Sequence, residues 1–163
     1  MKEKYKVIRK LGVGATAEVF LAEEISTGMV YAMKISEKED LLKKEALILN
    51  KLQGNCFPGF KEYKGNSLVM EYVEGKDLQQ LMDMGRQFSL GETVYIIEEV
   101  LRTLNKLHRQ EISIIYRDLK PANIMIGPNG KIKLIDFGAA YCKEEAIYLL
   151  TVCLLTVPSN LFP

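Results

Sequence analysis

The sequence has little cysteine, no excess of either charge and no long apolar run. Three cysteines, Cys56, Cys142 and Cys153, are scattered and odd in number among 163 residues. That argues against a disulfide framework or a thiolate metal cluster and suits a reducing, cytoplasmic setting. Lysine and arginine number 22 against 21 aspartate and glutamate, too even a balance for a nucleic-acid footprint or a polybasic membrane patch. The longest apolar stretch, Ile147 to Val157, falls short of the roughly 17–25 residues of a membrane-spanning helix. The basic opening MKEKYKVIRK has no apolar core behind it, so no signal peptide is expected. Internal repeats, low-complexity tracts and Ser/Pro linkers are missing as well. What remains is a globular composition, 48% hydrophobic and 26% charged, long enough for one ordinary domain or two small lobes.

The first third reads as strands. YKVIRKLG, AEVFLAEEI and GMVYAMKIS alternate apolar and polar residues, with a Thr27-Gly28 turn signal before the third. This predicts an antiparallel meander. A helix follows, with Ser36 and Glu39 in capping-box spacing, Leu41, Leu42, Glu45, Leu49 and Leu52 at helical intervals, and Gly54 as its stop. GFKEYKG and SLVMEYV resume the strand pattern, Gly75 marks a bend, and KDLQQLMDMG predicts a short helix ended by Gly85. A longer helix opens on a second capping box, Ser89 and Glu92, with Val94, Ile97, Leu101, Leu104 and His108 along one face. ISIIY is a short buried strand, and NIMIG and KIKLIDF form a hairpin around Pro128-Asn129-Gly130.

Several stretches carry chemistry. In LGVGATAEVF, Gly12 and Gly14 would let backbone N–H groups approach phosphate oxygens, although two glycines between strands also fit a plain turn. Lys34 lies on the third strand, and Glu45 lies on the leucine side of the next helix. A charge on an apolar face needs a partner, and Lys34 is the natural one. In IIYRDLKPANIM, Asp118 could accept a proton from a hydroxyl nucleophile, Lys120 could offset phosphate charge and Asn123 could ligate a cation. Pro121 stiffens that loop. Asp136, in LIDFG, offers a carboxylate for the same cation, and Gly138 permits a flexible exit.

Taken in order, the glycine loop, A-M-K on a strand, a helix glutamate, R-D-L-K-P-A-N and D-F-G resemble the eukaryotic-type protein kinase family. The resemblance covers residues 1 to about 150. It implies an α+β, bilobal fold: a complete antiparallel β small lobe with one helix, residues 1–74, and an incomplete, mainly helical large lobe, residues 75–163. It also implies ATP and Mg2+. The loop of Leu11, Gly12, Val13, Gly14, Ala15, Thr16, Ala17, Glu18 and Val19 would cover the phosphates, held by Lys34 and oriented through Glu45. Asn123 and Asp136 would bind Mg2+, and Asp118 would be the catalytic base with Lys120 beside it. Val19, Ala32 and Met125 would enclose the adenine, with Met70 as gatekeeper. The Glu71 carbonyl and Val73 N–H would pair with its edge, and Asp77 could reach the ribose. The lysine of R-D-L-K-P resembles the serine/threonine branch, and the D-F-G-A-A wording resembles bacterial members.

Three departures bear on what to expect. Tyr116 replaces the histidine of H-R-D, and Ala17 replaces the third glycine. Arg117 is present, which in the family pairs with a phosphorylated activation loop. After D-F-G no A-P-E follows, so the expectation is a kinase domain truncated after that motif. The implied function is transfer of the ATP γ-phosphate to a serine or threonine hydroxyl of a protein, impaired by that truncation. The alternative is a non-catalytic nucleotide-binding or kinase-interacting fragment, pairing through apolar large-lobe surface left exposed on the helix near 90–110. Antibiotic-type phosphotransferases share the lobes but typically lack R-D-L-K-P.

Overall fold

The computed structural model describes residues 4–143. The apolar stretch 147–157, and the reading of the chain after D-F-G as a shortened activation segment, fall largely or wholly outside the described residues. Among these residues no helix is long and apolar enough to cross a membrane.

Strands β1 (Tyr5–Val13), β2 (Glu18–Glu24) and β3 (Val30–Ile35) form the predicted antiparallel meander. Helix α1 (Glu39–Lys51) then crosses to β4 (Phe60–Lys64) and β5 (Ser67–Glu71), completing a five-stranded sheet in the order β1-β2-β3-β5-β4. Side chains alternate across a strand, and burial here follows that period. Ala32 of β3 with Leu68 and Met70 of β5 packs against Leu42, Ala46, Ile48 and Leu49 of α1. Met33 and Val69, one residue out of phase, join Tyr5 and Ala22 in a smaller cluster on the opposite face. Lys34 shares the α1 face with Ala32, so the period that builds the core also sends its ammonium inward.

After β5 the chain turns at Gly75, whose φ of +135° suits only glycine, and where a Cβ would lie 2.1 Å from the Ile126 carbonyl oxygen. There follow β6 (Lys76–Asp77), α2 (Leu78–Asp83), α3 (Leu90–His108), β7 (Ile114–Ile115), a 3-10 turn at Pro121–Asn123, β8 (Ile124–Ile126), β9 (Ile132–Leu134) and β10 (Tyr141–Cys142). Strands β6, β8 and β9 form one small sheet, and β7 pairs with β10. The β8–β9 hairpin is the predicted one, closed by a Gly127 N–H donating to the Lys131 carbonyl at 2.9 Å. The pairing of β7 with β10, and of β6 with β8, had no sequence signal, because two-residue strands carry no period. This α+β architecture, an antiparallel sheet with one helix leading into helices and small hairpins, matches the fold class expected above. The main apolar cluster runs through both parts and includes Phe57, Tyr116, Leu134 and Phe137.

Two helix expectations need correction. The capping box at Ser36 and Glu39 does not form: α1 starts after Lys38 with no side-chain cap. The Ser36 hydroxyl instead donates to the Thr16 carbonyl and accepts from the Lys38 N–H. Within α1, Leu41 is exposed while Ala46 and Ile48 are buried. The capping box at Ser89 and Glu92 does form, with both reciprocal bonds present. The packed face of α3, however, is Ile96, Val100, Thr103 and Leu107. Val94, Ile97 and Leu101, expected on that face, are exposed. Apolar residues stand on two sides of this helix, so periodicity alone could not choose; contact with β7 and β9 does.

The helix phase can be tested directly. Leu107 is 0% exposed, and Leu107→Ala should cost about 2–5 kcal/mol in urea unfolding. Leu101→Ala should stay within about 0.5 kcal/mol. Equal costs would place the packed face elsewhere.

Candidate active site

Lys34 is a strand residue whose side chain is only 10% exposed. Burying an ammonium costs several kcal/mol unless it is paired, and two carboxylates meet it. Glu45 of α1 approaches within 2.8 Å, and Asp136, just after β9, within 2.9 Å. Glu45 also accepts from the Phe137 N–H at 3.3 Å, and Asp136 from the Gly138 N–H at 3.1 Å. Burial lowers the Lys34 pKa, but the two carboxylates outweigh it and hold the value above that of ordinary lysine. Burial pushes the Glu45 carboxyl up against the pull of Lys34. Asp136 feels burial too, but Lys34 prevails and keeps its carboxyl below the usual range.

Gly138 belongs to this cluster by what it lacks. A Cβ there would stand 3.2 Å from Asp136 Oδ1, 3.4 Å from Glu45 Oε2 and 3.5 Å from Lys34 Nζ. Asp136 itself adopts φ 60°, and Arg117 φ 64°, in the left-handed region that non-glycine residues seldom occupy. Such conformations cost about 1–3 kcal/mol each and concentrate at functional sites. Arg117 holds its place by donating to the Ala139 carbonyl at 2.8 Å, with its guanidinium over the Tyr141 ring.

A second polar group lies in the loop between β7 and β8. Asp118 Oδ2 receives the Lys120 ammonium at 2.7 Å and the Asn123 amide at 2.9 Å, and that amide also reaches the Asp118 carbonyl at 2.9 Å. Asn123 is buried and closes the 3-10 turn that Pro121 opens. Tyr116 lies beneath this loop at 2% exposure. Its hydroxyl donates to the Ile135 carbonyl, one residue before Asp136. Burial, with the Asp136 and Asp118 charges, pushes the phenol pKa far up and keeps it a donor. Its ring stacks edge-on against Phe137, which meets Phe57 the same way.

The other candidate residues distribute as follows. Leu11, Gly12 and Val13 end β1, Glu18 and Val19 open β2, and Gly14 through Ala17 make the turn. Across it Gly12 faces Val19 and Val13 faces Glu18. Leu11, Val19, Ala32 and Met70 all pack into or against the main apolar cluster. Met125 is on β8 opposite Asp77 of β6, and Val73 is in the connection before Gly75. Two candidate side chains are engaged elsewhere: Glu18 pairs with Lys10 at 2.6 Å, and Asp77 caps α2 by accepting from the Gln80 N–H at 2.8 Å.

Sequence reasoning missed how the two parts are joined behind this site. Lys133 of β9 lies 2.5 Å from the Glu71 carboxylate, whose other oxygen accepts from the Gly59 N–H at 3.0 Å. The Leu134 N–H donates to the Cys56 carbonyl at 3.0 Å. Nothing in the sequence signals pairing over such separations. Phe137, a large aromatic between Asp136 and Gly138, could have been flagged; Phe57, between Cys56 and Pro58, carries no such signal.

Comparison with known proteins agrees with this geometry. The protein kinase domain family matches residues 5–154. The chain is 36% identical over 149 residues to a protein named "Probable serine/threonine protein kinase IRE" of Arabidopsis thaliana, covering 83% of this chain and 12% of that protein. It is 31% identical over 160 residues to a cAMP-dependent protein kinase catalytic subunit of Dictyostelium discoideum, covering 91% and 24% respectively. To a serine/threonine-protein kinase, CBK1, of Pneumocystis carinii it is 32% identical over 146 residues, covering 82% and 28%. The matched region thus spans 12% to 28% of these curated relatives. They come from a plant, an amoeba and a fungus, so the bacterial flavour of the D-F-G-A-A wording is not borne out. With a matching domain across most of its length and relatives above 30% identity over more than four-fifths of it, the chain belongs to the protein kinase family.

Proposed function

We propose that this chain carries out part or all of a serine/threonine protein kinase reaction, moving the γ-phosphoryl group of ATP to a protein hydroxyl. The observation that carries the reading is the buried Lys34 ammonium held between Glu45 and Asp136. A structural ion pair needs one carboxylate; here two share one cation, leaving a net negative charge at the site. Residues 1–74 would act as the lobe that grips the nucleotide, and residues 75–163 as the lobe that supplies the reacting groups.

The donor set fits Mg2+. This ion takes one or two protein carboxylates and fills its shell with water and substrate phosphates. Among the described residues no group of three or more His, Cys, Asp or Glu could hold a metal by itself. Asp136 spends Oδ1 on Lys34 and Gly138, and Asn123 spends its amide nitrogen on Asp118, which leaves one oxygen on each for a cation. When bound, Mg2+ neutralises charge on the phosphates.

Each side chain then has a defined task. Lys34 holds the phosphates under the Gly12–Val19 loop, and Glu45 keeps the ammonium in place. Leu11, Val19, Ala32, Met70 and Met125 offer apolar surface to a base, and the Glu71 carbonyl and Val73 N–H offer its hydrogen bonds. Asp118 has Oδ2 fixed by Lys120 and Asn123; its carboxylate orients the substrate hydroxyl and takes the proton as the oxygen bonds to phosphorus and ADP leaves. Lys120 offsets charge on the transferring group. Positioning and charge neutralisation supply the acceleration, with no covalent intermediate.

Thermal unfolding of the chain tests nucleotide binding. Mg-ATP at about 100 times its dissociation constant should stabilise the fold by roughly 2.7 kcal/mol, and Lys34→Met should abolish the shift. An unchanged midpoint in Mg-ATP would remove the reading.

Transfer is tested separately with a generic basic protein acceptor. Asp118→Asn should lower the transfer rate by about 10²–10⁴-fold, the usual contribution of a general base, while keeping the Mg-ATP stabilisation. A variant that transfers as fast as the parent would assign the proton to another group.

A further inference from the structure

Ser36 stands where three segments of the β-rich part meet, and the steps above make no use of it. Its N–H donates to the Asn66 carbonyl in the β4–β5 turn at 3.0 Å. Its hydroxyl donates to the Thr16 carbonyl, in the glycine turn, at 2.6 Å. The same oxygen accepts from the Lys38 N–H, immediately before α1, at 3.1 Å. The residue is 6% exposed, so water competes little for these bonds, and each is stronger than its surface equivalent.

The Thr16 bond has a consequence for the turn. A peptide unit is planar and trans, so a fixed carbonyl also fixes the next N–H, which points the opposite way. Anchoring the Thr16 carbonyl to Ser36 therefore sets the direction of the Ala17 N–H. Within the turn, Gly14 donates to the Ala17 carbonyl at 2.8 Å, so both sides of Ala17 are held. Ala17 also carries a Cβ, which narrows the φ range a glycine would have there. The turn in this protein is held in one orientation where three glycines would leave it free.

We infer that Ser36 is a positioning residue for phosphate binding: its hydroxyl orients the Thr16–Ala17 peptide and ties the glycine turn to the start of α1, the helix that carries Glu45. The inference rests on the nucleotide reading above. Movement of the turn and movement of α1 are joined through one oxygen atom, so the phosphate cover and the Lys34–Glu45 pair are set together.

The test compares the parent chain with Ser36→Ala and Ser36→Thr, by titration calorimetry with Mg-ATP and with adenosine, and by amide exchange without ligand. Ser36→Ala should weaken Mg-ATP by roughly 2- to 13-fold, the loss of one intramolecular hydrogen bond, and leave adenosine affinity unchanged. Exchange at Gly14 and Lys38 should quicken, and Ser36→Thr, which keeps the hydroxyl, should restore both readouts. Equal weakening of Mg-ATP and adenosine would mean a merely structural serine and overturn the inference, as would full Mg-ATP affinity in Ser36→Ala. If the parent binds neither ligand, the nucleotide reading fails, and unchanged exchange would then dispose of the tether too. Should Ser36→Ala not fold, Ser36→Cys, of similar volume with only a weak S–H donor, takes its place.

Discussion

The Lys34 ammonium lies between the Glu45 and Asp136 carboxylates with little access to water, and much of the architecture follows from keeping it paired. A charge in that position tolerates neither a missing partner nor a loose one. Strand β3, helix α1 and the turn after β9 must therefore arrive together. The turn meets this demand with an aspartate at φ 60° and with a glycine two residues later. A Cβ at Gly138 would press on the Asp136 carboxylate, 3.2 Å away, and would stand in ordinary contact with Glu45 and Lys34.

Apolar packing beneath the ions supports the same arrangement. Phe137 follows Asp136 directly and is buried against Phe57 and Tyr116, so the aromatic ring anchors the residue that carries the charge. Tyr116 does a second job, since its hydroxyl bonds the Ile135 carbonyl and secures the approach to Asp136 from below. Family members usually have histidine at this place in the motif. A phenol kept protonated by burial and by two nearby carboxylates is a dependable donor there, which gives the substitution a physical basis.

Charge also joins the two parts at the back of the site. Lys133 meets Glu71 where β5 ends, and the loop ahead of β4 attaches to Glu71 through Gly59 and to Leu134 of β9 through Cys56. Together with the Lys34 cluster this makes two charged connections between the sheet and the segment around β9. Membership of the protein kinase family accounts for the motif residues. The clasp at Glu71 and the junction at Ser36 are features read from the packing of this chain.

Local order was legible in the sequence. Strand alternation gave β1 to β5, turn residues gave the β8–β9 hairpin, and Ser89 with Glu92 gave the start of α3, because each depends on neighbours a few residues apart. The Lys34–Glu45 pair was legible too, since a glutamate on a leucine face demands a cation. Tertiary structure alone decided the rest. Ser36 had the spacing of a helix cap, but a buried hydroxyl bonds what it meets, and it meets Thr16. Helix α3 had two apolar sides, and only contact with β7 and β9 chose Leu107 over Leu101. Asp136 joining Lys34, and Lys133 joining Glu71, cross separations that no local pattern encodes. Sequence by itself determined which residues carry charge and which period each element follows. The fold decided which of those charges share a site, because distance in space and exclusion of water are properties of packing.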